Sequence, residues 1–159
     1  MAKGIVISPD KCTGCRTCEL ACSFTKYDLF NPKDSAITVL PYDEVGLQVP
    51  MTCLQCDDPH CMTVCTVNAI TKDEKTGVVT VDEEKCIGCK MCVSACPFGN
   101  MTYSVRLKKV IKCDLCKGTP QCVRECPSEA LQFKDLDGPL HKRRNIGDLF
   151  SDVFGEVAK

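Results

Sequence analysis

The chain has 159 residues, with 20 basic and 21 acidic side chains, a net charge of −1, and 16 cysteines. This balance offers no electrostatic footprint for nucleic acid, and no stretch approaches the length of a membrane span. The first nine residues hold no apolar run long enough for a signal peptide, so a cytoplasmic location with reduced thiols is expected, and a disulfide scaffold is not.

The elements predicted in chain order are short. Gly4-Ile5-Val6-Ile7 reads as a strand before the first cysteine group, Cys12-x2-Cys15-x2-Cys18-x3-Cys22. A long connection with Asn31-Pro32 holds a second strand, Ala36–Leu40, and leads to Cys53-x2-Cys56-x4-Cys61-x3-Cys65. Ala69-Ile70-Thr71 and Val78–Val81 flank Asp73–Gly77, the pattern of a hairpin. The third group is Cys86-x2-Cys89-x2-Cys92-x3-Cys96, followed by Pro97. Met101–Ser104 and Lys109–Ile111 read as strands before the fourth group, Cys113-x2-Cys116-x5-Cys122-x3-Cys126, and Ala130–Phe133 follows it. The fold class this predicts is α+β, small hairpins and short helices.

The cysteines carry the chemistry. The third group has the bacterial ferredoxin spacing, in which three thiolates hold one 4Fe–4S cube and the fourth ligates a different cube. Structural zinc sites show separated C-x2-C pairs, so a zinc-binding interaction module is the remote alternative. All 16 cysteines fall into the four groups, which predicts four 4Fe–4S clusters. With four thiolates per cluster no iron is open to substrate, so the reading is electron relay and not catalysis; no catalytic residue is assigned. Leu, Ile, Val and Phe number only 39, so folding is expected to depend on the metal. Lys11, Arg16, Lys85, Lys90, Lys112 and Lys117 flank or interrupt the groups and read as surface charges, the alternative being that they soften the negative charge of the clusters and ease reduction. His60 reads as a neighbour of the cluster or a surface residue, since every group is complete without it. No glycine-rich phosphate loop is present. Pro97 and Pro127 follow the last cysteine of their groups, whereas Ser23 and Thr66 stand in the other two.

The tail differs. Ile146, Leu149, Phe150, Val153, Phe154 and Val157 form an apolar stripe at helical spacing, predicting an amphipathic helix over about 145–158. It either folds back on its own cluster region or docks on a partner subunit or a neighbouring copy. His141–Arg144 before it reads as a solvated charge run.

Cys12-Thr13-Gly14-Cys15-Arg16-Thr17-Cys18-Glu19-Leu20-Ala21-Cys22, Cys53-Leu54-Gln55-Cys56-Asp57-Asp58-Pro59-His60-Cys61 and Cys113-Asp114-Leu115-Cys116 carry a further inference. With them the chain resembles the four-cluster electron-transfer subunits of multi-subunit oxidoreductases. Those serve molybdenum or tungsten pterin enzymes, hydrogenases and carbon monoxide dehydrogenase. The resemblance covers about 4–134, leaving 135–159 as the tail. It implies two interleaved 2[4Fe–4S] ferredoxin-like units, an inner one over about 50–100 and an outer one over about 4–30 plus 101–134. It also implies four ligand sets: Cys12, Cys15, Cys18 and Cys126; Cys22, Cys113, Cys116 and Cys122; Cys53, Cys56, Cys61 and Cys96; and Cys65, Cys86, Cys89 and Cys92. The partners it implies are a catalytic subunit, first a tungsten or molybdenum pterin enzyme such as an aldehyde oxidoreductase, and a flavin-containing or ferredoxin redox partner. A hydrogenase or carbon monoxide dehydrogenase partner, or a freely diffusing polyferredoxin, are the alternatives. Near-neutral charge and the apolar tail favour the dedicated subunit, with self-association through the tail helix a further expectation and no nucleic acid or membrane insertion.

Overall fold

The computed structural model describes residues 2–136. The predicted tail helix, with Ile146, Leu149, Phe150, Val153, Phe154 and Val157, lies outside them.

Every cysteine group builds the same local structure. The residue before the second cysteine has a positive φ in all four: Gly14 (69°), Gln55 (50°), Gly88 (70°) and Leu115 (56°). That conformation folds the loop back so that three thiols face one side. Glycine adopts it freely, and Gly14 is further constrained because a Cβ there would lie 3.0 Å from Gln48. The third cysteine is then the second residue of a helix: Cys18 in α1 (Thr17–Tyr27), Cys61 in α2 (His60–Thr63), Cys92 in α3 (Met91–Ala95) and Cys122 in α4 (Gln121–Arg124). The two compact groups enter their helix through a left-handed residue, Arg16 or Lys90. The two with inserts enter through extended Pro59 or Pro120, where the longer loop makes the turn gradually.

The strands pair as four antiparallel hairpin-like ladders: β1 (Ala2–Ile7) with β8 (Leu131–Leu136), β2 (Ile37–Tyr42) with β3 (Leu47–Thr52), β4 (Ile70–Lys72) with β5 (Val79–Val81), and β6 (Thr102–Ser104) with β7 (Lys109–Ile111). Small helices and paired strands make the class α+β. The β1–β8 ladder, with Ile5 opposite Phe133 and Ile7 opposite Leu131, joins the two ends of the described residues. Strand β3 is the element the sequence concealed. Pro41 and Pro50 sit within the β2–β3 pair, which proline tolerates because each strand has a free edge. In β2, Ile37 and Val39 are buried while Thr38 and Leu40 are exposed, the alternation of a half-buried strand.

Two cores result. One gathers Cys18, Cys22, Ile37, Val39, Ile111, Cys113, Leu115, Cys122 and Leu131; the other gathers Ile70, Val79, Cys92, Met101 and Val110. Consecutive residues of β7 serve different cores, Val110 one and Ile111 the other, so this strand is a wall between them.

Helix α1 runs five residues past Cys22, which explains why Ser23 stands where two of the other groups have proline. Ser23 is fully buried, and its Oγ donates to the Leu20 carbonyl at 3.1 Å and accepts from the Asn31 N–H at 3.1 Å. Ser23→Pro would remove a helix hydrogen bond and clash with the preceding turn, so we expect about 3 kcal/mol or more lost in denaturant unfolding of the iron-loaded protein.

Asp34 ties the first connection to the β6–β7 hairpin. Its Oδ2 accepts from Arg106 Nη2 at 2.6 Å, Arg106 Nε at 3.0 Å and Asn31 Nδ2 at 2.7 Å. Burial pushes the carboxyl upward, but hydrogen bonds from Ser104 and Arg106 and the guanidinium charge together hold it below the usual range. A lowered folded-state value means the stabilisation is present above the unfolded value and fades as pH falls through the folded one. Arg106 is half exposed, so Asp34→Ala is expected to cost about 2 kcal/mol, less than for a fully buried pair. The deficit against wild type should shrink as urea midpoints are followed into acid.

Candidate metal centres

Cys53, Cys56, Cys61 and Cys96 line one cavity of about 370 Å³. Burial pushes the Cys61 thiol up, Lys112 opposes this, and the charges of Cys53, Cys96 and Cys56 push it further up. A narrower recess is lined by Cys65, Cys86, Cys89 and Cys92. Here burial, followed by the neighbouring Cys86 charge, pushes Cys92 up to about 11. Around α1 and α4, burial raises Cys122 strongly, and the thiols acting on it are Cys113, Cys22, Cys116 and then Cys18. Cys18 itself is raised to about 12 by burial and Glu19, with Cys12 and Cys15 adding to the effect. The β1–β8 ladder is continued by the Ser8 N–H on the Ala130 carbonyl at 2.8 Å, and Cys12 and Cys126 both pack against the first core.

Crowded, buried thiols that resist ionisation are costly in a protein with nothing to bind, and natural for one that gives their protons up to a metal. Four thiols line one cavity and four line the recess beside it. Four thiols around a space of about 370 Å³ suit an iron–sulfur cube, in which each iron takes one thiolate, better than the four short bonds of one zinc. The donor set therefore fits the cluster that the spacing predicts.

Donors to sulfur differ between groups. Thr17 Oγ1 donates to Cys15 at 3.5 Å and holds that exposed thiol below its usual range. Backbone N–H groups of Ala36, Ala69 and Leu115 approach Cys22, Cys65 and Cys113 at 3.4, 3.2 and 3.4 Å. Cys126 lies 3.7 Å from the Ser128 hydroxyl. Cys53 receives Lys112 Nζ at 3.2 Å.

Lys112 departs from the surface role its sequence suggested, being only 6% exposed. Its ammonium also reaches the Val79 carbonyl (2.5 Å), the Cys113 carbonyl (3.1 Å) and Gln55 Oε1 (3.3 Å). Gln55 completes the junction, donating to the Cys113 carbonyl at 2.9 Å and accepting from the Val79 N–H at 2.9 Å. Lys11, Arg16, Lys85, Lys90 and Lys117 are exposed as expected, Lys90 lying over the Tyr103 ring; His60 is exposed at the start of α2. Lys26, not singled out from sequence, pairs with Asp114 at 3.0 Å. Burial lowers its value, but Asp114 and the Cys22 and Cys113 thiols outweigh that and raise it.

Repeated ferredoxin loops, paired short strands and grouped thiols define a polynuclear iron–sulfur protein of the electron-carrying class. Residues 45–136 match the 4Fe-4S dicluster domain and residues 5–24 the 4Fe-4S binding domain. The protein belongs to the 4Fe–4S dicluster ferredoxin family. It is 47% identical over 122 residues to the "aliphatic sulfonate oxidoreductase, polyferredoxin-like subunit" of Pyrococcus furiosus, covering 77% of this sequence and 70% of that one. It is 36% identical over 166 residues to a subunit of the anaerobic dimethyl sulfoxide reductase of Escherichia coli, covering 92% and 78%. Among solved structures it resembles a polypeptide of the BamBC active-site complex of benzoyl coenzyme A reductase, with a TM-score of 0.50, 26% identity, and 99% and 97% of the two sequences covered. It is a non-catalytic, iron–sulfur electron-transfer subunit of the kind found in oxidoreductases, and its cofactors are 4Fe–4S clusters. Among the described residues no helix is long and apolar enough to cross a membrane.

Proposed function

We propose that the chain holds four 4Fe–4S clusters in two interleaved units and carries electrons between a catalytic subunit and a second redox partner. The ligand sets are Cys12, Cys15, Cys18 and Cys126; Cys22, Cys113, Cys116 and Cys122; Cys53, Cys56, Cys61 and Cys96; and Cys65, Cys86, Cys89 and Cys92. The observation that carries this reading is the cavity where Cys96 meets three cysteines of the preceding group while its own group faces a different recess. Once bound, such clusters pass single electrons without protons or bond-making. The protein's share is to fix their positions, exclude water and set their potentials through hydrogen bonds and charge.

The catalytic partner is a tungsten or molybdenum pterin enzyme acting on an aldehyde or a chemically related substrate, and the second partner carries flavin or is itself a ferredoxin. The named function of the Pyrococcus relative favours an oxidoreductase complex. Exposed Leu20, Phe24 and Phe30, the two rings stacked at 4.6 Å, offer an apolar contact face. The complex resides in the cytoplasm, and the stretch that follows β8, a strand that takes in Asp135 and Leu136 of the expected tail, carries a helix over about 145–158 that mediates assembly with the partner or another copy. Anaerobic native purification followed by metal analysis tests the partner: co-purifying tungsten or molybdenum supports it, and a complex holding iron alone or iron and nickel overturns it. Deleting residues 145–159 should release a partner or a copy from the complex; an unchanged number of subunits would place the helix on its own cluster region.

A further inference from the structure

Asn100 breaks the internal repeat. After the last cysteine of three groups the backbone makes the same tight turn, with a left-handed residue at Asn68, Gly99 or Glu129 whose N–H returns to the carbonyl of Cys65, Cys96 or Cys126. The next residue is Ala69 in one turn, Ala130 in another and Asn100 in the third. Asn100 lines the cavity of Cys53, Cys56, Cys61 and Cys96, and its Nδ2 is buried with no hydrogen-bond partner among the described residues. A buried amide donor left unpaired is destabilising, so its presence beside the cavity points to an acceptor that belongs there. Sulfur carrying negative charge is that acceptor.

Lys112 breaks the repeat in a second way. Lys11 and Lys85 also precede the first cysteine of their groups, yet both are exposed, whereas Lys112 is buried against Cys53 in the same cavity. Its contacts are carbonyl-type oxygens and a sulfur, with no carboxylate among them. Lys26, a partly buried ammonium that acts on Cys22 and Cys113, is instead neutralised by Asp114. Asp57 and Asp58 share the rim of the cavity but are exposed, and Lys72 lies 3.8 Å from Asp57, so their fields are screened.

Reduction adds one electron to a cluster that is already anionic. A buried ammonium and a buried amide N–H favour the reduced form more than backbone N–H groups or surface hydroxyls do. We propose that Asn100 and Lys112 hold the cluster of Cys53, Cys56, Cys61 and Cys96 at the highest reduction potential of the four, so that an electron entering the protein comes to rest there. The site suits that role. Lys112 touches both Cys53 and the Cys113 carbonyl, and so stands where the two thiol-lined regions meet. The inference rests on the ligand sets proposed above.

Anaerobic redox titration followed by electron paramagnetic resonance tests it, using wild type, Asn100→Ala, Lys112→Met, Lys112→Arg and the double variant N100A/K112M. The cluster reduced first in wild type should move to lower potential in both single variants to alanine and methionine, and further in the double. Arginine should restore part of the shift, while the other three potentials move less, the Cys22, Cys113, Cys116 and Cys122 set most among them because Lys112 also touches the Cys113 carbonyl. Cys61→Ser should abolish the first-reduced signal. Unchanged potentials in N100A and K112M, or largest shifts in two different clusters, would overturn the proposal. Alanine is what the repeat itself carries at this turn, so N100A decides the matter even if K112M loses iron. Failure of the ligand sets would look different: wild-type protein holding well under about sixteen irons, at four per set of four thiolates.

Discussion

Removing the iron anaerobically with a strong chelator unfolds residues 2–136 and leaves no folded apo-protein. Cysteines supply a large part of the interior: Cys18, Cys22, Cys113 and Cys122 sit in the first core and Cys92 in the second. Their thiols pack poorly without a shared centre. Loop strain adds to the deficit. Gln55, Leu115, Cys116 and Lys117 all have positive φ, which costs such residues about 1–3 kcal/mol each and persists only where surroundings enforce it. A domain of this size is stable by about 5–15 kcal/mol in total. Structural metal sites contribute about 10 kcal/mol or more apiece, so losing several exceeds the whole margin. Far-ultraviolet circular dichroism and hydrogen exchange before and after chelation check this. Loss of the strand and helix signal with loss of colour is expected. A chelated protein that keeps its signal and still unfolds cooperatively would show that the polypeptide core suffices.

The second large effect separates interleaved from sequential ligation. If Cys96 serves the set of Cys53, Cys56 and Cys61, then Cys61→Ser with Cys96→Ser damages one cluster, and iron falls from about sixteen to about twelve per polypeptide. Cys92→Ser with Cys96→Ser, two positions of one group in sequence, damages two clusters and leaves about eight. The cavity lining supplies the reason: Cys96 ends α3 and turns toward α2, while Cys92 on the first turn of α3 faces the recess of Cys65, Cys86 and Cys89. Iron analysis with protein quantitation reads both pairs. The reverse order, twelve for the C92S/C96S pair and eight for C61S/C96S, would assign each cluster to one sequence group.

Much of this architecture is legible because cysteine spacing is a geometric statement. Two residues between thiols force a left-handed turn, three force a helical one, and all four loops obey. The hairpins at 70–81 and 102–111 announce themselves through β-branched runs around turn residues. Strand β3 does not, because Pro41 and Pro50 read as breaks until the pairing of β2 shows that they sit on free edges. The length of α1 is hidden for the opposite reason: nothing marks continuation past Cys22 except the absence of proline at Ser23. Lys112 looks like its exposed counterparts Lys11 and Lys85, since burial of a lysine depends on carbonyls from residues 79 and 113 that no local pattern brings together. Asn100 could have been found by aligning the repeat against Ala69 and Ala130, where it is the odd residue. The helix stripe from Ile146 to Val157 falls outside the described residues and rests on its periodicity alone.

The central claim is that the thiols are saturated by complete cubes and that the protein moves electrons without making a product. Mössbauer spectroscopy of anaerobically purified, iron-57-enriched protein, joined to iron and sulfide quantitation, addresses it most directly. About sixteen irons and as many sulfides per polypeptide are expected, every iron in a fully thiolate-ligated cube. A cube with a distinct, non-thiolate iron, or zinc in place of iron, would contradict it.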